Sequence, residues 1–366
     1  MKKAISSLPF TIITLLVTLY CVTNPQSTAN HCKNALLLCA HTAVPSLFMF
    51  TVLSNLISEI TQKRPLSKNL VTRFISRIFR IEVQLIPIFL FGMFSGILPA
   101  FTATSEKVRR KEVSKESAEN LLLLLSGCSI PFILTVCGAK LESFPLTLIL
   151  ILSNFLASFT SFFILCDKSE INTAHKNSVI CNRRFPDILH SSLSISLHNT
   201  LIMCTYILFF YVLAGITSDI LSTTLSAGNN VITAIVTAIL EMTSGISESN
   251  IFSGNEKAVF IAFTSAFSGI SIIFQLDGIC TQAGISIRKY IYSRLLCSVL
   301  CPLYMILFLL IFPHELSCLS GLSRHFQLSF FHGTELLISA FNVVVILFTA
   351  AVFLYIDKKH KKNVQK

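Results

Sequence analysis

Apolar residues dominate this chain in long blocks, and polar residues separate them in short segments. The blocks run over Ile5–Val22, Lys33–Ile60, Ile86–Thr104, Ser117–Gly138, Phe144–Cys166, Leu193–Ile216, Val231–Phe252, Ala258–Leu276, Tyr290–Phe312 and Leu336–Ile356. Each is close to the roughly 20 residues that a helix needs to cross a bilayer. Four of them are interrupted by small and polar residues. The third, IPIFLFGMFSGILPAFTAT, carries Gly92, Ser95, Gly96 and Pro99 at its centre, and the fourth carries Ser126, Gly127, Cys128, Ser129 and Pro131. Val231–Phe252 has Ser244 and Gly245, where a break is predicted, and Ala258–Leu276 has SAFSGIS. Helix-breaking residues at membrane depth survive only where the freed backbone is buried in protein or lines a polar cavity.

Charge decides how the blocks are threaded. Lys63, Arg64, Lys68, Arg73, Arg77 and Arg80 precede the Ile86–Thr104 block, and Lys107, Arg109, Arg110, Lys111 and Lys115 follow it. A crossing would put one basic loop outside, against the cytoplasmic bias of Lys and Arg. The block is therefore predicted to enter, turn and leave on the same side as a re-entrant hairpin. The spacing of Arg73, Phe74, Arg77 and Ile78 predicts an amphipathic helix on the inner surface. Thr217–Asn230 holds Asp219 and no Lys or Arg, so it reads as external, and the Val231–Phe252 hairpin then enters from outside. Lys2 and Lys3 before Ile5–Val22, with TNPQSTAN after it, fit either a signal peptide cleaved after Ala29 or a retained first span.

The order of span, broken hairpin, broken span and span occurs twice. GMFSGILPA aligns with EMTSGISES, and LLLLLSGCSIPFI with IAFTSAFSGISII. The expected fold class is an all-α polytopic membrane protein. It has two inverted repeats, each with a re-entrant broken-helix hairpin, and about eight transmembrane spans. The expected divisions are an anchor or signal segment at 1–30, a first repeat at 31–168 and a cytoplasmic linker at 169–190. A second repeat follows at 191–313, then a last span with a basic tail at 314–366.

Composition agrees. Of 366 residues, 53% are hydrophobic and 13% charged, with a mean hydropathy of +0.72, whereas a soluble domain carries about 25% charge. The net charge of +11 lies in loops between apolar blocks, where it orients the chain and meets lipid head groups rather than nucleic acid. The twelve cysteines show no metal spacing, and Cys39, Cys204 and Cys297 read as small apolar packing residues. His41 stands either as a site residue or as a hydrogen-bonding partner of a neighbouring helix.

Glu241 is the one acidic residue read deep in an apolar block, either a proton-coupling group or a neutral carboxyl bonded to a neighbouring carbonyl. Arg288, Lys289 and Arg294 read as a loop. No basic residue is thus expected deep in a span, and an anionic solute would be held by helix N-termini and hydroxyls. The expected substrate-binding residues are Ser95, Gly96, Ser129, Pro131, Thr243, Ser244, Gly245, Ser247, Ser271 and Gln275. No nucleophile–base or metal constellation is visible, so neither an enzyme nor a cofactor is expected. The residues favour a secondary transporter. A nucleoside-type symporter, a channel or permease subunit, and a non-transporting scaffold stay open.

This arrangement resembles the Gate superfamily of bacterial nucleoside transporters and the FeoB permease domain, and within it the sporulation integral membrane protein YlbJ family. The resemblance covers roughly Lys33–Phe312. EMTSG at Glu241–Gly245 and SGISIIFQ at Ser268–Gln275 carry it, with VPSLF at Val44–Phe48, Ser95, Gly96 and Pro131. Ile97 and Leu98 stand where the family pattern has Tyr and Pro. The resemblance implies export of a small anion, dipicolinate, across the outer forespore membrane. A small-molecule solute and membrane lipid are the expected partners. Further copies of the chain, or other sporulation membrane proteins, stay open as protein partners.

Overall fold

The computed structural model describes residues 2–40, 44, 48–49, 51–56, 70–125, 127–166, 184–224 and 230–311. His41, Ser126, residues 169–183 of the expected 169–190 linker and the Leu336–Ile356 span lie outside the described residues, and the end of that linker is already helical from Phe185. Those described are helical and include no strand. Among the described residues, four helices are long and apolar enough to cross a membrane, or up to five if a bent pair counts as one. The chain is an all-α protein compatible with a membrane location.

Helices α1 (Lys2–Thr23) and α2 (Pro25–Leu38) abut at Asn24, with Pro25 opening α2. TNPQSTAN is therefore largely helical, because proline is pre-organised for a first helical turn. Both helices pack on the long α9 (Phe185–Thr224). The expected external segment from Thr217 is thus helical as far as Thr224. Apolar Ile220 and Leu221 let the turn continue there, and Thr217 and Thr223 bond back to carbonyls four residues earlier.

Helix α3 (Leu70–Phe79) turns through 100° into the next helical segment. Phe74 and Ile78 are exposed, while Ile75 and Phe79 pack against the core, so α3 is two-faced as its spacing predicts. Then come α4 (Ile86–Ser95), a break at Gly96, and α5 (Ile97–Arg109), with α4 and α5 packed on each other. The two ends of this pair return to one place. A Glu82 carboxylate oxygen accepts from the Ser114 amide at 2.7 Å, and the Asn120 side chain donates to Arg80 O at 2.9 Å. Buried Lys107 and Glu112 pair at 3.4 Å beside them.

Helix α6 (Lys115–Leu124) is capped by the Ser114 hydroxyl and ends at an extended Leu125. After the 125–129 break, α7 (Ile130–Leu141) contains a π-helical stretch, Ile133–Cys137. Helix α8 (Phe144–Leu165) follows, one of the helices long and apolar enough to cross a membrane. After α9, the helices are α10 (Asn230–Leu240), α11 (Met242–Glu248), α12 (Gly254–Phe267), α13 (Gly269–Ala283) and α14 (Arg288–Ile311).

Helices α8 and α14 pair at the centre, and their faces show why. The buried side of α8 carries Thr147, Ser153, Asn154, Ala157, Ser158 and Ser161, while Leu148, Leu152, Phe163 and Ile164 are exposed. In α14, Ser293, Cys297 and Cys301 point in, while Leu295, Val299, Leu303 and Leu310 point out. Apart from Leu150, Phe162, Tyr290, Arg294 and Met305, the buried faces are small or polar and the exposed ones large and apolar, which is the packing of helices in lipid. There, dispersion and hydrogen bonds rather than water exclusion hold helices together. Ser161 donates to Ser293 at 2.8 Å, and Thr160 meets the Tyr304 hydroxyl at 2.8 Å.

Candidate functional site where the helix breaks meet

Four breaks interrupt the helices, and contacts join them. Gly96 adopts φ 86° and ψ 174°, a region that excludes side chains, and so turns α4 into α5. A Cβ built on it would lie 3.4 Å from Ser129 Cβ, so the first break rests on the second. Ser129 caps α7, its hydroxyl accepting from the Phe132 amide at 3.3 Å, with Pro131 in the first turn. Buried Ser95 has its hydroxyl 3.4 Å from Gly96 O.

The second break reaches the later half of the chain. The Cys128 thiol lies 3.0 Å from Met242 Sδ and 3.1 Å from Ser265 O. A Cβ on Gly127 would fall 1.6 Å from Ser268 Oγ, so only hydrogen fits there. Ser268 is the break between α12 and α13, in a left-handed conformation with φ 70°. Beyond it, a Cβ on Gly269 would lie 3.3 Å from Glu241 Cα, and Glu241 is the break between α10 and α11. The first break touches the second, the second touches the other two, and those two touch each other.

Glu241 corrects one expectation. The α10–α11 break falls at Glu241, with φ −146° and ψ 126°, and not at Ser244 and Gly245. The reason is capping. The Glu241 carboxylate accepts from the Ser244 amide at 2.7 Å and from the Thr243 hydroxyl, satisfying amides that a helix start leaves bare. Ser244 and Gly245 therefore sit in the first turn of α11. Gly245 serves close approach instead, since a Cβ there would lie 2.4 Å from Ala238 Cα on α10. Glu241 is 4% exposed.

The other expected residues divide. Ser271 and Gln275 are buried in α13 just past Ser268, and the Gln275 amide donates to Ser271 Oγ at 3.1 Å. Gln275 Oε1 has no partner, so an acceptor is left free beside the breaks. Ser247 is exposed, and its hydroxyl donates to Thr243 O at 3.0 Å, which keeps it out of the cluster.

A second correction concerns positive charge. Arg294 is not in a loop but inside α14, 1% exposed, contradicting the expectation that no basic residue lies deep. Its Nη1 donates to Ala266 O at 3.4 Å, and a Cβ on Gly127 would lie 3.2 Å from that nitrogen. The helix starts at Arg288, so Arg294 is carried well past the end that sequence spacing assigned to a loop. Its neighbours Tyr290, Leu295 and Leu296 are the legible signal, because they continue an apolar block around it.

A cluster at the α2–α9 contact also escaped the sequence reading. His31 Nε2 lies 2.9 Å from Asp219 Oδ2, and the Ser27 and Tyr20 hydroxyls donate to the same oxygen at 2.5 and 2.8 Å. Ser27 Oγ also lies 3.3 Å from His31 Nε2, so the serine, the histidine and Tyr20 all converge on one carboxylate oxygen. The cluster clamps α1 and α2 to α9.

No family model, no curated protein and no solved structure matches the chain.

Proposed function

We propose that this chain is a secondary transporter of a small polar or anionic solute in a bacterial cell membrane. The observation that supports it is the convergence of Gly96, the 125–129 break, Glu241 and Ser268. Broken helices expose backbone amides and carbonyls at depth, and that is where carriers seat solute and coupling ions. The finer architecture belongs to the same proposal: about eight spans in two inverted repeats, with α4–α5 and α10–α11 as opposed hairpins. The return of Glu82 to Ser114 favours a first hairpin with both ends on one side. Glu241 is the proton-coupling group. By resemblance to the YlbJ family, the solute is dipicolinate, moved across the outer forespore membrane during sporulation.

Uptake by proteoliposomes tests the reading, screened across dicarboxylates and nucleosides with and without an imposed pH gradient. Concentrative uptake of one solute is expected. Uptake that only runs down its gradient would make the chain a channel, and no uptake of any solute would leave a scaffold. Cysteine labelling should find the 63–80 and 107–115 loops on the same, cytoplasmic side. Opposite sides would remove the hairpin and the inverted repeat with it.

A further inference from the structure

We propose that Arg294, with the hydroxyl of Tyr290, is the seat for a carboxylate group of the solute. The inference rests on the transporter reading for its purpose, but on its own observations for its chemistry. A guanidinium stays protonated in a protein, so Arg294 is a permanent positive charge. It is 1% exposed, and among the described residues no carboxylate lies within ion-pair distance of it. A buried charge without a counter-charge is costly to keep.

Its hydrogen bonds are too few to explain it. Five N–H groups are available, yet Nη1 reaches Ala266 O only at 3.4 Å and Nη2 reaches Ser293 Oγ at 3.3 Å. Nε has no partner at all, and neither has the buried hydroxyl of Tyr290. The guanidinium carbon lies over the Tyr290 ring, 5.0 Å from its centroid, a cation–π contact that sets the tyrosine beside the arginine. The Ala266 carbonyl, at the C-terminal end of α12, orients the guanidinium without neutralising it.

Place completes the case. Nη1 lies against Gly127 and beside the Ser268 break, where the earlier and later parts of the chain meet. Gly127, Cys128, Ala266, Ser268, Ser293 and Cys297 line that meeting point, all of them small. When helices rock apart there, the guanidinium fork and the phenol hydroxyl offer the donors that a carboxylate accepts. Neutral solutes would leave the charge uncompensated.

The full chain, purified in detergent, tests this by thermal melting against acetate, succinate, benzoate and phthalate. Chloride at equal ionic strength is the control. At least one carboxylate should raise the melting temperature saturably. The apparent Kd should weaken about tenfold in Arg294→Lys, which keeps charge but loses the fork. The shift should vanish in Arg294→Gln and weaken several-fold in Tyr290→Phe. A wild type that no carboxylate stabilises, or an Arg294→Gln variant that keeps the shift, overturns the seat. If Arg294→Gln does not accumulate, Arg294→Lys and Tyr290→Phe decide, and wild-type affinity in both overturns it. Carboxylate binding without uptake would keep the seat and remove the carrier. Uptake of nucleosides with no carboxylate response would keep the carrier and remove the seat.

Discussion

The α4–α5 and α10–α11 breaks solve one physical problem by two means. Gly96 turns the chain through a conformation open only to glycine, with no side-chain cap, and meets Ser129 at ordinary packing distance. Glu241 turns it in extended geometry that any residue adopts, and its own carboxylate caps the Ser244 amide. The glycine of the later pair, Gly245, is needed for space rather than for φ. The same Ser-Gly pair in sequence thus does different work in the two places. One site depends on backbone geometry and the other on a charge and a close helix approach.

This contrast can be broken by mutation. The largest effect is expected at Gly245. Gly245→Leu drives a side chain into the Ala238 backbone and should destabilise the protein by about 3 kcal/mol, with loss of uptake. Gly245→Ala should cost less, because less has to shift. Thermal melting across a size series at 245 should therefore be steep, and a flat series would show that α10 and α11 do not pack so closely.

At Gly96 the series should start with its largest step. Every side chain, alanine included, meets the same forbidden backbone region at roughly 1–3 kcal/mol. Most of the loss should therefore appear at the first step, Gly96→Ala, and only the remainder should grow with size against Ser129. A Gly96→Ala variant that costs nothing would erase the difference between the breaks.

Glu241 sharpens the comparison next. Glu241→Ala removes the cap and should cost about 1 kcal/mol, whereas Glu241→Gln keeps an acceptor for the Ser244 amide and should cost less. Glu241→Gln should nevertheless lose the pH dependence of uptake, since it has no proton to carry. Unchanged pH dependence would reduce Glu241 to its capping role. Ser247→Ala is expected to do least, within about 0.5 kcal/mol and with uptake intact, because Ser247 is exposed and bonds only its own helix.

Much of the helical order was legible from the chain alone. Phe144–Leu165 and Arg288–Ile311 follow the apolar blocks within a few residues, because uninterrupted apolar runs leave little choice but helix. Breaks at Gly96, 125–129 and Ser268 fall where small residues interrupt those runs. The break at Glu241 did not announce itself. Ser-Gly looks like the weaker link, yet a helix can begin there once an acidic side chain stands at its cap. Arg294 was missed for a related reason. Two basic residues shortly before it mark a loop by charge, and charge alone does not say which arginine the helix has already taken in.

By itself, the sequence determined that the chain is helical, where most helices stop and start, and which residues are too small or too polar to be ordinary span residues. Those are local matters, set by hydrophobic runs, capping and backbone preference. Only the tertiary structure decided that the breaks touch one another, that Gly245 faces Ala238 and Gly127 faces Ser268, and that Ser247 faces away. It also decided that a buried arginine stands beside them with no carboxylate among the described residues within ion-pair distance. Gly127 with Ser268, and Cys128 with Met242, join residues more than a hundred positions apart, while Gly245 meets Ala238 only because α11 folds back on α10. No local pattern contains them, because close approach depends on both partners at once.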